Sequence, residues 1–156
     1  MAIRNIIQFG DPILNKKSRP VENFDERLAL LIDDMKETLK KADGAGLAAV
    51  QVGVLRRVCI IDAECKKGKG TTEFLELINP EIIKEEGVQE KEEGCLSVLG
   101  EQGITCRPAV VHVRAQDRNG KWHIHYGEDV TARAFCHELD HMDGVLFTER
   151  IIRKVK

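Results

Sequence analysis

Apolar residues recur at helical spacing over residues 25–42, where Leu28, Leu31, Ile32, Met35 and Leu39 form one stripe. Asn23, followed three residues later by Glu26, predicts the start of that helix, and Asp43-Gly44 predicts its end. The chain then enters Gly44-Ala-Gly-Leu-Ala-Ala-Val-Gln51-Val-Gly53, whose glycines predict a loop or tight turn. Two short apolar runs follow, Val58-Cys-Ile-Ile61 and Phe74-Leu-Glu-Leu-Ile78, and the breaker Asn79-Pro80 closes the second. Between them Lys66, Lys67 and Lys69 sit in a Gly-containing loop that reads as a hairpin connection. Ile82-Ile83 starts a further strand before Gly87.

Farther on, Val111, Val113 and Ala115 alternate with His112, Arg114 and Gln116, while Trp122, Ile124 and Tyr126 alternate with His123 and His125. With Asn119-Gly120 between them, these runs predict an antiparallel hairpin that exposes its histidines on the polar phase. A last helix is expected over residues 129–143, capped by Asp129 and ended by Gly144. The order helix, strands, helix predicts an α+β fold. One domain spanning residues 1–156 is expected, since no repeat, low-complexity tract or linker interrupts the chain.

Composition narrows the class. A net charge of −2, with the basic residues scattered, argues against a specific nucleic-acid partner. No apolar run approaches the roughly 20 residues that cross a bilayer, so no membrane association is expected. The opening residues lack a charged leader followed by a long apolar stretch, and a cytoplasmic location is the expectation. The five cysteines, Cys59, Cys65, Cys95, Cys106 and Cys136, are odd in number and irregularly spaced, so reduced thiols are expected.

The last helix carries His137-Glu138-Leu-Asp140-His141. Histidines four apart share a helix face and can reach one divalent ion, with Glu138 beside them to take a proton from water. The competing reading is a pair of partly exposed histidines on an ordinary helix. The motif needs a third ligand, and the downstream chain supplies none: Phe147 stands where one class of zinc protease has its third His, and Glu149 lacks helical context. Upstream, Cys59 reads as core, and Cys65 and Cys106 have no distinguishing context. Cys136 points about 100° around the helix from His137. Cys95 follows Gly94, where backbone can come close to another group, and it is the preferred third ligand. A cross-strand cluster of His112, His123 and His125 is the weaker alternative.

Gly44-Ala-Gly46-Leu-Ala-Ala-Val-Gln51, Glu93-Gly94-Cys95-Leu96-Ser97 and His137-Glu138-Leu-Asp140-His141 resemble, in order and spacing, the three motifs of the peptide deformylase family. The resemblance runs from Asp11-Pro12-Ile13-Leu14 to Gly144-Val145-Leu146-Phe147. It implies antiparallel β-sheets packed around a central helix that carries the metal motif, with an N-terminal amphipathic helix. It implies one divalent metal per chain on Cys95, His137 and His141, Fe(II) as the usual native ion and Zn(II) able to replace it. Glu138 would act as base and then acid, while the Gln51 amide and the Leu96 backbone N–H would meet the oxyanion. The backbone at Ala45 and Gly46 would pair with the substrate, and Val130 and Ala134 would line a methionine pocket, where Arg133 is out of character. The implied activity is removal of the formyl group from N-formylmethionyl peptides and nascent chains, with release of formate. A transient ribosome contact is the further partner implied, although the sequence given ends short of the C-terminal helix that many bacterial members carry. Leu99 replaces a common Pro, Ala45 a larger aliphatic residue and Met142 a Leu; none of these removes a chemical group. A different metal peptidase and a metal- or peptide-binding module without catalysis are the alternatives. The missing downstream ligand speaks against the first, and the presence of Glu138 against the second.

Overall fold

The computed structural model describes residues 2–62 and 73–154. Helix α1 (Glu26–Ala42) is followed by β1 (Gly46–Ala48), β2 (Val58–Asp62), β3 (Phe74–Glu86), β4 (Gln89–Cys95), β5 (Val98–Arg107), β6 (Val110–Gln116), β7 (Trp122–Glu128), α2 (Val130–Met142) and β8 (Ile151–Lys154). The pairings between these strands are all antiparallel, and an isolated parallel bridge joins Arg19 to Arg56. One sheet has the order β1-β2-β3-β6-β7 and the other the order β4-β5-β8, an α+β arrangement. No helix among the described residues is long and apolar enough to cross a membrane.

The continuous apolar run in β2 has a simple cause: this part of the larger sheet is covered on both faces. Val58 and Ile60 pack with Leu28, Ile32, Met35 and Leu39 of α1. Cys59 and Ile61 point the other way, into the cluster built on Phe135, Leu139 and Met142 of α2. In β6, where only the α2 side is covered, Val111, Val113 and Ala115 are buried as the alternation predicts. Its partner β7 departs from that expectation. Trp122, Ile124 and Tyr126 are the exposed set, while His125 is half-buried and Gly127 buried. Arg114 stacks over Trp122 at 3.9 Å and His112 meets Tyr126 edge-on, so the outer face pairs ring with cation and ring with ring.

Four boundaries differ from the sequence reading. Asp25, not Asn23, caps α1, its carboxylate accepting from the Leu28 N–H. The segment after α1 is not simply a loop: Gly46–Ala48 pairs with β2, and Ala49–Val52 forms a 3-10 turn. Asp129 precedes α2 with φ of 52° and makes no side-chain cap. The break expected at Asn79-Pro80 is absent, and β3 continues to Glu86. The expected Lys/Gly hairpin and Cys65 lie outside the described residues.

Asn79 explains how β3 passes its proline. It takes φ of 51°, the left-handed region that Asn tolerates better than most residues, and the register to β6 shifts there between Ile78 and Glu81. Its side chain accepts from the Val21 N–H at 2.8 Å and donates to Val21 O at 2.9 Å and Gln116 Oε1 at 2.8 Å, tying the N-terminal segment to the bulge. Asn79→Ala is therefore expected to destabilise the fold by about 2–4 kcal/mol, combining lost hydrogen bonds with a strained φ. Asn79→Gly, which relieves the backbone, should cost less; urea denaturation of the two variants checks the order.

Candidate active site

Helix α2 presents His137, Glu138 and His141 into the interior, all three buried. Strand β4 delivers Cys95 opposite them at its C-terminal end. The His141 Nε2 lies 3.2 Å from His137 Nε2 and 3.4 Å from Cys95 Sγ, and the three ligand atoms all fall within 4.8 Å of one another. Bond lengths typical of a tetrahedral site place N–N edges at about 3.3 Å and N–S edges at about 3.6 Å. The donor set and its spacing fit one divalent ion. Thus the two histidines of the motif and Cys95, among the cysteines weighed, stand together.

Among the described residues, the other candidates stand apart. Cys59 is fully buried in the core, Cys106 is exposed, and Cys136 is buried on another side of α2, where burial pushes its thiol up to about 11. Glu149 turns its carboxylate back to the Leu146 N–H. Phe147 is buried with its ring 5.9 Å from that of His137. His123 pairs with Asp117 on the surface, and the rings of His123 and His125 are 6.2 Å apart. Gly94 is not a point of close approach, since a Cβ there would meet nothing nearer than 3.6 Å.

A buried polar network holds His137, and the sequence reading missed it. His137 Nδ1 donates to Glu93 Oε2 at 2.6 Å, which leaves Nε2 to face the site. Arg107 donates to both oxygens of Glu93 at 3.2 and 2.8 Å and reaches Asp140 at 2.7 Å, while Thr105 donates to Glu93 Oε1 at 2.8 Å. Arg150 closes the far side of Asp140. Burial alone would raise the Glu93 carboxyl, but the hydrogen bonds from His137 and Arg107 outweigh it and hold the group at about 2. Two strand alternations carried the signal. Glu93 and Cys95 are two apart on β4, and Thr105 and Arg107 are two apart on β5, so each pair shares a face.

Gln51 links the first motif to the second. Its Oε1 accepts from the Ala48 N–H at 3.0 Å, and its Nε2 donates to Ser97 Oγ at 3.0 Å and lies 3.7 Å from Cys95 Sγ. The Ser97 N–H points at the same sulfur at 3.4 Å, and Gln8 donates to Leu96 O at 3.0 Å, fixing the backbone of the second motif. A cavity of about 710 Å³ lies in front, lined by Ala45, Gly46, Leu96, Val130, Ala134 and Glu138 among others. Val130 is exposed at its mouth and Ala134 is buried in its wall. Arg133 also lines the cleft, and its guanidinium donates to Gln89 Oε1 at 2.8 Å while its stem packs. Burial pushes the Glu138 carboxyl up to about 7 against the pull of His137.

Three converging metal-ligand atoms with a buried carboxylate beside them, on the wall of a peptide-sized cleft, define the class of metal-dependent hydrolases. Residues 3–156 match the family model for polypeptide deformylase. A peptide deformylase of Alkaliphilus metalliredigens is 52% identical over 154 residues, covering 99% of this chain and 100% of that one. The crystal structure of a peptide deformylase from Legionella pneumophila superposes with a TM-score of 0.90 at 44% identity, covering 96% of this chain and 86% of that one. That of the Thermotoga maritima peptide deformylase gives 0.89 at 38% identity, covering 97% and 99%. The chain belongs to the polypeptide deformylase family. It is an enzyme that removes the N-formyl group from the N-terminal formylmethionine of nascent polypeptides, in a metal-dependent family.

The network makes a prediction. Glu93→Gln removes the charge that orients His137 while keeping a similar shape, and it is expected to weaken metal binding about 10–100-fold. Competition with a chromophoric chelator measures this, and circular dichroism should show the fold retained.

Proposed function

We propose that Cys95, His137 and His141 hold the metal and that Glu138 moves the protons of deformylation. The observation that carries this is the convergence of one sulfur and two ring nitrogens within 4.8 Å on the cleft wall that also carries Glu138. A divalent ion bound there supplies Lewis acidity, activating water and polarising the formyl oxygen. Glu138 takes a proton from the water as its oxygen bonds to the formyl carbon. The Gln51 side-chain amide and the Leu96 backbone N–H meet the negative charge that develops on the formyl oxygen. Glu138 then hands its proton to the methionine nitrogen as the C–N bond breaks, releasing formate and a free amino terminus.

The substrate backbone runs along Ala45 and Gly46. The support is topological: β1 is an edge strand of the larger sheet, ready to accept another strand beside the cleft. Val130 and Ala134, which line the same cleft, receive the methionine side chain. The soft and borderline donors suit both Fe(II) and Zn(II); Fe(II) is proposed as the native ion, as in the wider family. The whole chain works as one catalytic domain in the cytoplasm, in line with the free thiols of Cys59, Cys95, Cys106 and Cys136. A transient ribosome contact goes with a substrate that emerges there.

The test is formate release from an N-formyl-methionyl tripeptide, using protein purified without oxygen and with its metal quantified. Glu138→Ala is expected to keep its metal and lose about 10²–10⁴-fold in turnover. Wild-type turnover in that variant overturns the assignment. Chelation should abolish release, and added Fe(II) or Zn(II) should restore it.

A further inference from the structure

Glu138 has an uncommon support. Among the described residues, no protein group hydrogen-bonds its buried Oε1. Against the rest of the carboxylate lies the backbone of Gly46. A Cβ placed on Gly46 would fall 2.8 Å from Glu138 Oε2, 3.0 Å from Glu138 Cγ and 3.0 Å from Ile61 Cδ1. Ordinary contacts are about 3.5 Å or more. Backbone conformation does not call for glycine here, because Gly46 is not among the residues with positive φ and pairs with Ile61 as ordinary strand.

We infer that Gly46 is a positioning residue for Glu138: its missing side chain is the notch in which the carboxylate lies, so strand β1 sets where the proton acceptor stands. This rests on the reading of Glu138 as the base. The strand has no room to retreat. Leu47 and Ala48 are fully buried, and Leu47↔Ile60 and Ala48↔Cys59 continue the pairing to β2. A methyl group added at residue 46 is therefore relieved mainly by the carboxylate, the free end of a flexible side chain. Close to Cys95, His137 and His141, a shift of that kind separates the base from the water it must deprotonate. The contact also gives the first motif a second duty, since the strand expected to pair with the substrate is the one that steadies the base.

The experiment uses the metal-loaded enzyme and formyl-Met-Ala-Ser. Gly46→Ala is expected to lower kcat about 10²-fold with KM changed less than about threefold, the signature of a misplaced catalytic group. Bound metal should stay at its wild-type ratio, and the product tripeptide Met-Ala-Ser should bind as it does to wild type by calorimetry. Glu138→Asp withdraws the carboxylate by one methylene, so adding Gly46→Ala to it should cost less than about threefold more, the non-additivity of groups in contact. If Gly46→Ala also lowers Tm, Glu138→Asp should restore it. Near-normal kcat in Gly46→Ala overturns the inference. So does an equal loss in both backgrounds, a Tm loss that Glu138→Asp leaves in place, or a change confined to KM and tripeptide binding; this last outcome would mean that the glycine only makes room for substrate. No formate from the wild-type enzyme would reject the hydrolytic assignment itself, and full turnover in Glu138→Ala would reject the base.

Discussion

The carboxylate of Glu93 is the group on which the site depends. A buried negative charge is costly unless it is paired and its lone pairs are filled, and Glu93 meets that demand with Thr105, Arg107 and His137 at once. Those partners come from β5 and α2, and Arg107 continues to Asp140 on α2. The charges are satisfied only when the smaller sheet and the helix are docked in one register. That docking orients the His137 ring, and because Cys95 lies two residues after Glu93 on the same strand face, it also sets the sulfur opposite the two imidazoles.

The larger sheet supplies the other half of the arrangement. Helix α1 covers β1, β2 and β3 on one side, and α2 covers the sheet on the other, so the metal-motif helix is pressed between this core and the hairpin of the smaller sheet. The cleft opens where the edge strand β1 faces the end of β4. A peptide added there as a strand, as proposed, would bring its formyl end to the place where, among the described residues, sulfur, imidazole and carboxylate groups converge. Exclusion of bulk water by this packing strengthens every charge interaction inside.

Much of this was legible in the order of residues. The stripe Leu28 to Leu39 and the motif His137 to His141 are helical patterns whose period survives any packing, and both elements formed within a residue or two of their expected ends. The β6–β7 hairpin followed from alternation around Asn119-Gly120. The smaller sheet was harder to see, because β4 and β5 bury polar residues such as Gln89, Glu93, Thr105 and Arg107 rather than an apolar phase. At Asn79-Pro80 local propensity predicted a stop, but bonds to Val21 and Gln116, distant in sequence, outweighed it. On β7 the apolar residues face outward, since the inner phase lies against α2, where Gly127 leaves room and Phe135 fills it.

What the sequence by itself determined is the chemistry: two histidines one helical turn apart, a carboxylate between them, and a cysteine in a motif that resembles a known family. Those properties are local, carried by residue type and spacing alone. What only the tertiary structure decided is which groups hold the chemistry in place. Glu93, Arg107 and Asp140 became partners, and Gly46 met Glu138, because elements distant in the chain were brought together. Strand alternation puts Glu93 and Arg107 on their faces, but which groups they and Gly46 meet depends on the docking of a strand against a helix.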